Sequence, residues 1–335
     1  MRDGRFRTHG GFDEWLPRRP ERGNMRLELL GPMRFWRDGT EVPLGPPKQR
    51  AVLGLLASRL GEVVSMHQIV DGVWGADVPQ SAASGVHTYV AGLRRVVDPS
   101  RGRRKSGRVL VSASGGYCLN LPPHSVDSHR FGRHCATAGS LLTDGRSEEA
   151  ITELERGLAL WHGAALADVP GPHAEMERVR LTESRLMAVE EWADLLLEAG
   201  RHRQVVPVLV GHVSGEPLRE RLRWQLMLAL YRCGRRGQAL GVYRETRQVL
   251  MAELGVGPGP ELTALHQRIL DGDPDLMPRN VLGSVQLLRS MAATDAGDAR
   301  DAMEGAAGRR RRTGGQRHPE SGLPVPARAV RRPGR

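Results

Sequence analysis

The rhythm of apolar and polar positions changes several times along this chain. Residues 1–24 show no period. From Met25, the runs MRLELLG and MRFWRDG alternate apolar and polar residues on either side of Gly31-Pro32, and TEVPLG adds a third short segment. Alternation of this kind predicts strands, with Asp38-Gly39 as the turn between the second and the third. Beyond residue 46 the period becomes helical. Val52, Leu55, Leu56 and Leu60 share one helical face that Gly61 closes. Ser65 stands where it caps a helix burying Ile69, Val70 and Val73, and Trp74-Gly75 end that helix. In SAASGVHTYVAGLRRVVD (81–98) Ser81 is the candidate cap, and Val86, Val90, Leu93 and Val97 form the inner stripe. A basic loop, DPSRGRRKSG, leads into RVLVSASGGYCLNL, which reads as two strands about a glycine turn.

The outer face of the 81–98 helix decides what this part does. It carries Ser84, His87 and Thr88 near its start and Arg94 and Arg95 near its end. Alone, such a face is an ordinary solvated surface. It is here the third helix of a group that follows a small sheet and precedes a hairpin, which is the order of a winged helix-turn-helix. In that arrangement the third helix enters the DNA major groove and the hairpin follows the backbone. Ser84, His87 and Thr88 are then candidates for base edges or phosphates, and Arg94 and Arg95 for phosphates. Lys48 and Arg50, in PPKQR at the start of the first helix, suit a phosphate at a helix N-terminus. Arg108, at the base of the hairpin, is a further candidate, and the run RGRRKSGR that ends on it is as well suited to solvent as to phosphate. Tyr117 reads as packing the wing onto the helices.

From Val126 the pattern is helical almost throughout. Seven periodic runs, from VDSHRFGRHCATAGSLL to GPELTALHQRIL, are separated by short Gly-, Pro- or Arg-containing breaks. The run LRERLRWQLMLALYRCGRRGQALGVYRETRQVL has the texture of a tetratricopeptide helix pair, with large, small and aromatic positions at helical spacing, and residues 180–213 are a looser copy. Stacked pairs bury faces that one pair alone exposes. Beyond residue 273 the chain has no aromatic residue and is rich in Gly, Pro and Arg, a composition that predicts disorder. The expected organisation is an extension over 1–24, disordered or non-native with Met25 as a candidate start; a DNA-binding module over 25–122; a TPR-like module over 123–273; and a basic tail over 274–335. The fold class is mainly α, with an α+β winged helix in front of an all-α module.

Charge sharpens this. The formal net charge is +11, but residues 25–122 carry +6, residues 123–272 carry −2 and residues 273–335 carry +5. The excess therefore sits on the proposed DNA-binding module and on the tail, and suits an acidic partner. The three cysteines are widely spaced with no metal-ligand pattern, so they read as reduced thiols of a cytosolic protein. No apolar run is long enough to cross a membrane, and the N-terminus lacks the apolar core of a signal peptide. Neither a phosphate loop, a zinc-protease helix nor a nucleophile elbow occurs in the sequence, so no enzyme and no cofactor is expected.

With those residues in view, the chain resembles the Streptomyces antibiotic regulatory protein (SARP) family. The resemblance is carried by RLELLGPMRFWRDGTEVPLGPPKQRAVLGLLA, VVSMHQIVDGVWG, HTYVAGLRRVVD and SGGYCLNL in the front module, and by LWHGAALADV and the run from Pro217 to Leu270 in the second. It covers roughly residues 25–273, with two unrelated motif sets in the family's order. It implies an OmpR-like winged domain, a TPR-like bacterial transcriptional activator domain, and an activator of a secondary-metabolite gene cluster in the cytoplasm, at the nucleoid. It further implies binding to direct repeats in promoter DNA as a homodimer or in tandem, and contacts with RNA polymerase and its principal sigma factor. The family wing commonly reads PPGYRL; here SGGYCL puts Cys118 where Arg is usual. The competing reading is a helical-repeat scaffold whose winged module binds protein instead of DNA.

Overall fold

The computed structural model describes residues 25–98 and 109–277. Expectations for 1–24, for the basic loop with Arg108, and for the tail beyond residue 277 lie outside the described residues; at the start of the expected tail, Pro274–Leu276 instead form a 3-10 turn whose Leu276 is buried in the helical core, with its carbonyl accepting from Arg232 Nε at 2.7 Å. The order opens with β1 (Met25–Glu28), β2 (Arg34–Arg37), β3 (Thr40–Glu41) and α1 (Pro47–Ser58). It continues with β4 (Val64–Ser65), α2 (Met66–Trp74), α3 (Ala82–Val97), β5 (Leu110–Ala113) and β6 (Gly116–Leu119). Then follow α4 (Asp127–Thr143), α5 (Ser147–Leu158), α6 (Pro172–Glu198), α7 (His202–Gly215), α8 (Glu220–Arg232), α9 (Arg236–Leu254) and α10 (Pro260–Asp271). Each of the seven periodic runs in the second half forms a helix.

Two three-stranded antiparallel sheets flank the first three helices, in the orders β1-β2-β3 and β4-β6-β5. The β2–β3 turn is the expected Asp-Gly pair: Asp38 and Gly39 both have positive φ (51° and 79°), which a two-residue hairpin turn with the right twist requires. Ser65 caps α2 through a complete capping box with Gln68. β4 was not legible as a strand. It is two residues long and becomes one only by pairing with β6, Val64 opposite Tyr117 and Ser65 opposite Gly116. A Cβ on Gly116 would lie 2.1 Å from the Val64 carbonyl oxygen, so only glycine admits this approach. Ser81 precedes α3 without a side-chain cap bond; its carbonyl instead accepts from Ser84 Oγ and from Gly85 N–H.

The expected α3 stripe is the inner one: Val86, Val90, Leu93 and Val97 are buried against Val52, Leu56, Ile69 and Val73. Each such side chain stabilises the fold by about 1.5–3 kcal/mol. Helix α1 departs from the expected single buried face. Every residue from Ala51 to Ala57 is buried, because the helical part covers its other side. Leu166, Val169 and Ala174 belong to the front core, and Leu30 to the helical core.

Polar contacts seal this junction. Leu29 and Leu30 donate their N–H groups to buried Asp127 at 2.8–3.0 Å, and their carbonyls accept from Leu166 and His162 N–H, each at 2.9 Å. Asp168 accepts from Met33 N–H at 2.7 Å and pairs with Arg50 at 3.0 Å. Ser58 Oγ lies 2.7 Å from His173 Nε2. Gly171 (φ 107°) lets α6 begin against α2, since a Cβ there would sit 2.9 Å from the Val73 carbonyl. Residues 25–276 thus form one compact unit. In the second half consecutive helices pack on each other, and α10 packs on α8 and α9. Trp161 and Trp192 are buried in that core, and Trp224 packs against it.

Candidate nucleic-acid interface

Helix α3 presents Ser84, His87, Thr88 and Arg95 as exposed residues, opposite its buried valines. Spacings of three and four place them along one face. The hydroxyls of Ser84 and Thr88 donate back to the Ser81 and Ser84 carbonyls, at 2.8 and 3.0 Å. With their protons so engaged, both offer acceptor lone pairs outward, the group a base amino donor seeks. Arg95 is exposed, and its guanidinium makes no hydrogen bond or ion pair among the described residues. Arg94 and Arg95 also sit in the last turn, where the helix dipole favours cations.

The wing is fastened to this helix by side chains. Arg94 donates from Nε to the Leu110 carbonyl at 3.0 Å and from its terminal nitrogen to Ser112 Oγ at 2.7 Å, and lies 5.6 Å over the Tyr117 ring. Tyr117 Oη in turn sits 2.6 Å from His87 Nδ1, with the rings edge-on. Tyr117 therefore packs the wing, as its position in the sequence suggests, and also orients the imidazole on the outer face. When the phenol donates to Nδ1, Nε2 carries the proton and presents a donor outward, the partner that guanine N7/O6 or a phosphate accepts. Arg37 of β2 donates to the Val96 carbonyl at 2.8 Å and holds the C-terminal end of α3.

Two of the other three expected cations have partners elsewhere in the fold. Lys48 Nζ donates to the Val73 carbonyl at 2.6 Å and lies 5.4 Å over the Trp74 ring, holding α1 to α2. Arg50 is paired with Asp168 at the junction. Both were expected at a phosphate; in the fold both also hold elements together, through partners remote in sequence. Arg108 lies outside the described residues. Cys118 is buried, with its thiol 3.1 Å from Asn120 Oδ1, and burial raises its pKa; it does not reach the outer face. Sequence reasoning missed Gln49, whose amide donates to the Leu44 carbonyl at 2.8 Å and fills the space left beside Gly92 of α3. Among the described residues no group of His, Cys, Asp and Glu could hold a metal ion, and no helix is long and apolar enough to cross a membrane.

A basic, side-chain-bearing third helix locked to a β-hairpin wing defines the class: a winged-helix transcriptional regulator joined to a helical module. Residues 39–119 match the family described as transcriptional regulatory protein, C terminal, and residues 126–270 match the bacterial transcriptional activator domain. The chain is 35% identical to the regulatory protein DnrI of Streptomyces peucetius over 256 residues, 75% of this chain and 94% of that one. It is 44% identical to the regulatory protein AfsR of Streptomyces coelicolor over 257 residues, which are 76% of this chain and 25% of AfsR; the chain thus spans a quarter of that relative's length. Among solved structures, Mycobacterium tuberculosis EmbR in complex with a low-affinity phosphopeptide superposes with a TM-score of 0.68 at 32% identity, covering 79% of this chain and 71% of EmbR. The chain belongs to the SARP family of transcriptional regulators, the antibiotic regulatory proteins. The relatives named here are regulators.

Proposed function

We propose that this chain is a sequence-specific DNA-binding activator of a secondary-metabolite gene cluster. Its α3 enters the major groove, about 12 Å wide, and the β5–β6 wing lies along the neighbouring backbone. The observation that carries this reading is the α3 face itself: Ser84, His87, Thr88 and Arg95 exposed together, with Arg94 and Tyr117 holding the wing beside them. His87, Ser84 and Thr88 read base edges; Arg95, and Arg94 at the wing root, neutralise phosphates. By its family, the regulator binds direct repeats in promoters, as a homodimer or in tandem, and acts through RNA polymerase and its principal sigma factor at the nucleoid.

The test is footprinting of the full chain on fragments from its own genomic neighbourhood, with salt and an unrelated competitor duplex titrated in. Protection of spaced direct repeats that survives competition supports the reading. Binding that the competitor abolishes at every fragment refutes site-specific recognition and shifts the weight to a protein-binding role for the winged module.

A further inference from the structure

A cleft of about 730 Å³ lies between strands β1–β2 and helices α4–α5, on the seam of the two cores. That volume is within the range of small-molecule sites. Its walls are rich in hydrogen-bond donors: Arg26, Arg34, Trp36, Arg130, Arg156 and His162. Three of the arginines are balanced, Arg26 by Glu28 at 2.9 Å, Arg34 by Glu41 at 3.9 Å and Arg156 by Glu153 at 2.6 Å.

Arg130 has no such direct pair among the described residues; the carboxylates of Asp127 and Glu28, on the same walls, act on it only through space. It is half-buried, and its guanidinium makes no hydrogen bond or ion pair among the described residues. The nearby carboxylate of Asp127 is occupied by the backbone N–H groups of Leu29, Leu30 and Ser128. Burial lowers the pKa of Arg130, partly opposed by the charges of Asp127 and Glu28. A guanidinium does not give up its proton in a protein, so this partly desolvated one keeps its charge and is open to an anion that enters the cleft. Two further donors on the same walls lack acceptors, Arg26 Nε and Trp36 Nε1, both buried. Arg26 lies 5.0 Å over the Trp36 ring, which keeps these two donors side by side.

From these donors we infer that the cleft is an effector site for a small molecule bearing an oxyanion group, a carboxylate or a phosphate, which Arg130 binds with support from Arg26 and Trp36. A ligand there touches both cores at once, β1–β2 on one wall and α4–α5 on the other. Because Arg37 ties β2 to the end of α3, an occupied cleft braces the helix that carries the outer face. The inference is independent of DNA recognition by α3.

The test is thermal unfolding of the full chain in sodium phosphate and in sodium citrate, each against sodium chloride at matched ionic strength. A saturable rise in Tm is expected for the wild type, absent in Arg130→Gln and reduced in Trp36→Phe, with Arg130→Lys keeping part of it. Equal shifts in wild type and Arg130→Gln, or none in either, overturn the proposal. If Arg130→Gln folds poorly, the comparison of Trp36→Phe with wild type decides alone, since that change removes one donor and little volume. The DNA backbone is the other source of the same chemistry. Should Arg130→Gln leave the oxyanion response unaltered while lowering the salt slope of DNA binding by about 0.9, Arg130 is a backbone contact and the effector site is refuted.

Discussion

Arg94 and Arg95 are neighbours in sequence with opposite circumstances, and substituting each by alanine separates them. Arg95 is exposed and has no partner among the described residues. Its removal should cost the fold little and take one phosphate contact from the proposed complex. The slope of log K against log salt should become shallower by about 0.9. Affinity should fall by about 3- to 4-fold more at 50 mM than at 200 mM salt, since a fourfold range raised to that power gives about this ratio. Arg94 instead donates to the Leu110 carbonyl and to Ser112 Oγ and covers Tyr117. Its loss removes two partly exposed hydrogen bonds and a cation–π contact, about 1–2 kcal/mol together. Arg94→Ala should therefore lower the urea midpoint and weaken binding, whereas Arg95→Ala should leave the midpoint within error. Fluorescence anisotropy on a promoter duplex across a salt series, with urea unfolding of the same proteins, measures both. An unchanged salt slope for Arg95→Ala, with binding otherwise intact, would refute the placement of α3 on DNA.

Further expectations concern the seam and the wing. Asp127→Ala leaves the Leu29 and Leu30 N–H groups buried without acceptors, at about 1–3 kcal/mol each, measurable by urea unfolding. Burial outweighs the three backbone N–H donors and raises the Asp127 pKa to about 6, above its value in the unfolded chain. The stability this gives is full below the ordinary carboxylate pKa and is lost as pH rises through about 6, worth about 3 kcal/mol; Asp127→Asn should flatten that decline, and an identical pH profile in the variant would count against it. Gly116→Ala sets a Cβ against the Val64 carbonyl and should destabilise by about 1–3 kcal/mol, with loss of amide-exchange protection confined to β4 and β6; full protection there would contradict the steric argument. Tyr117→Phe frees the His87 ring and should reduce discrimination between cognate and competitor duplex more than total affinity, read by competition binding; equal losses in both would make Tyr117 a packing residue alone. A double-mutant cycle on Arg50 and Asp168 should give a coupling of about 0.5–1 kcal/mol in stability and none in DNA affinity.

What the sequence determined by itself is what repeats over a few residues. The inner stripe Val86–Val97, the Asp38-Gly39 turn, the Ser65 cap and the seven helical runs each follow from local period or local backbone chemistry, and all are where those patterns put them. The exposed face of α3 follows from the same period, because fixing the buried side of a helix fixes the other. What only the tertiary structure decided involves partners far apart in the chain. Asp127 meets Leu29 and Leu30 across 98 and 97 positions, and nothing local marks it from any other aspartate at a helix start. α1 is buried on all sides because a loop more than a hundred residues later covers its second face. Lys48 and Arg50 have the composition of a phosphate site, yet in the fold Lys48 donates to the Val73 carbonyl and Arg50 pairs with Asp168, both partly buried. A side chain's chemistry is written in the sequence; which acceptor reaches it first is set by packing, and packing here is shared across the two modules.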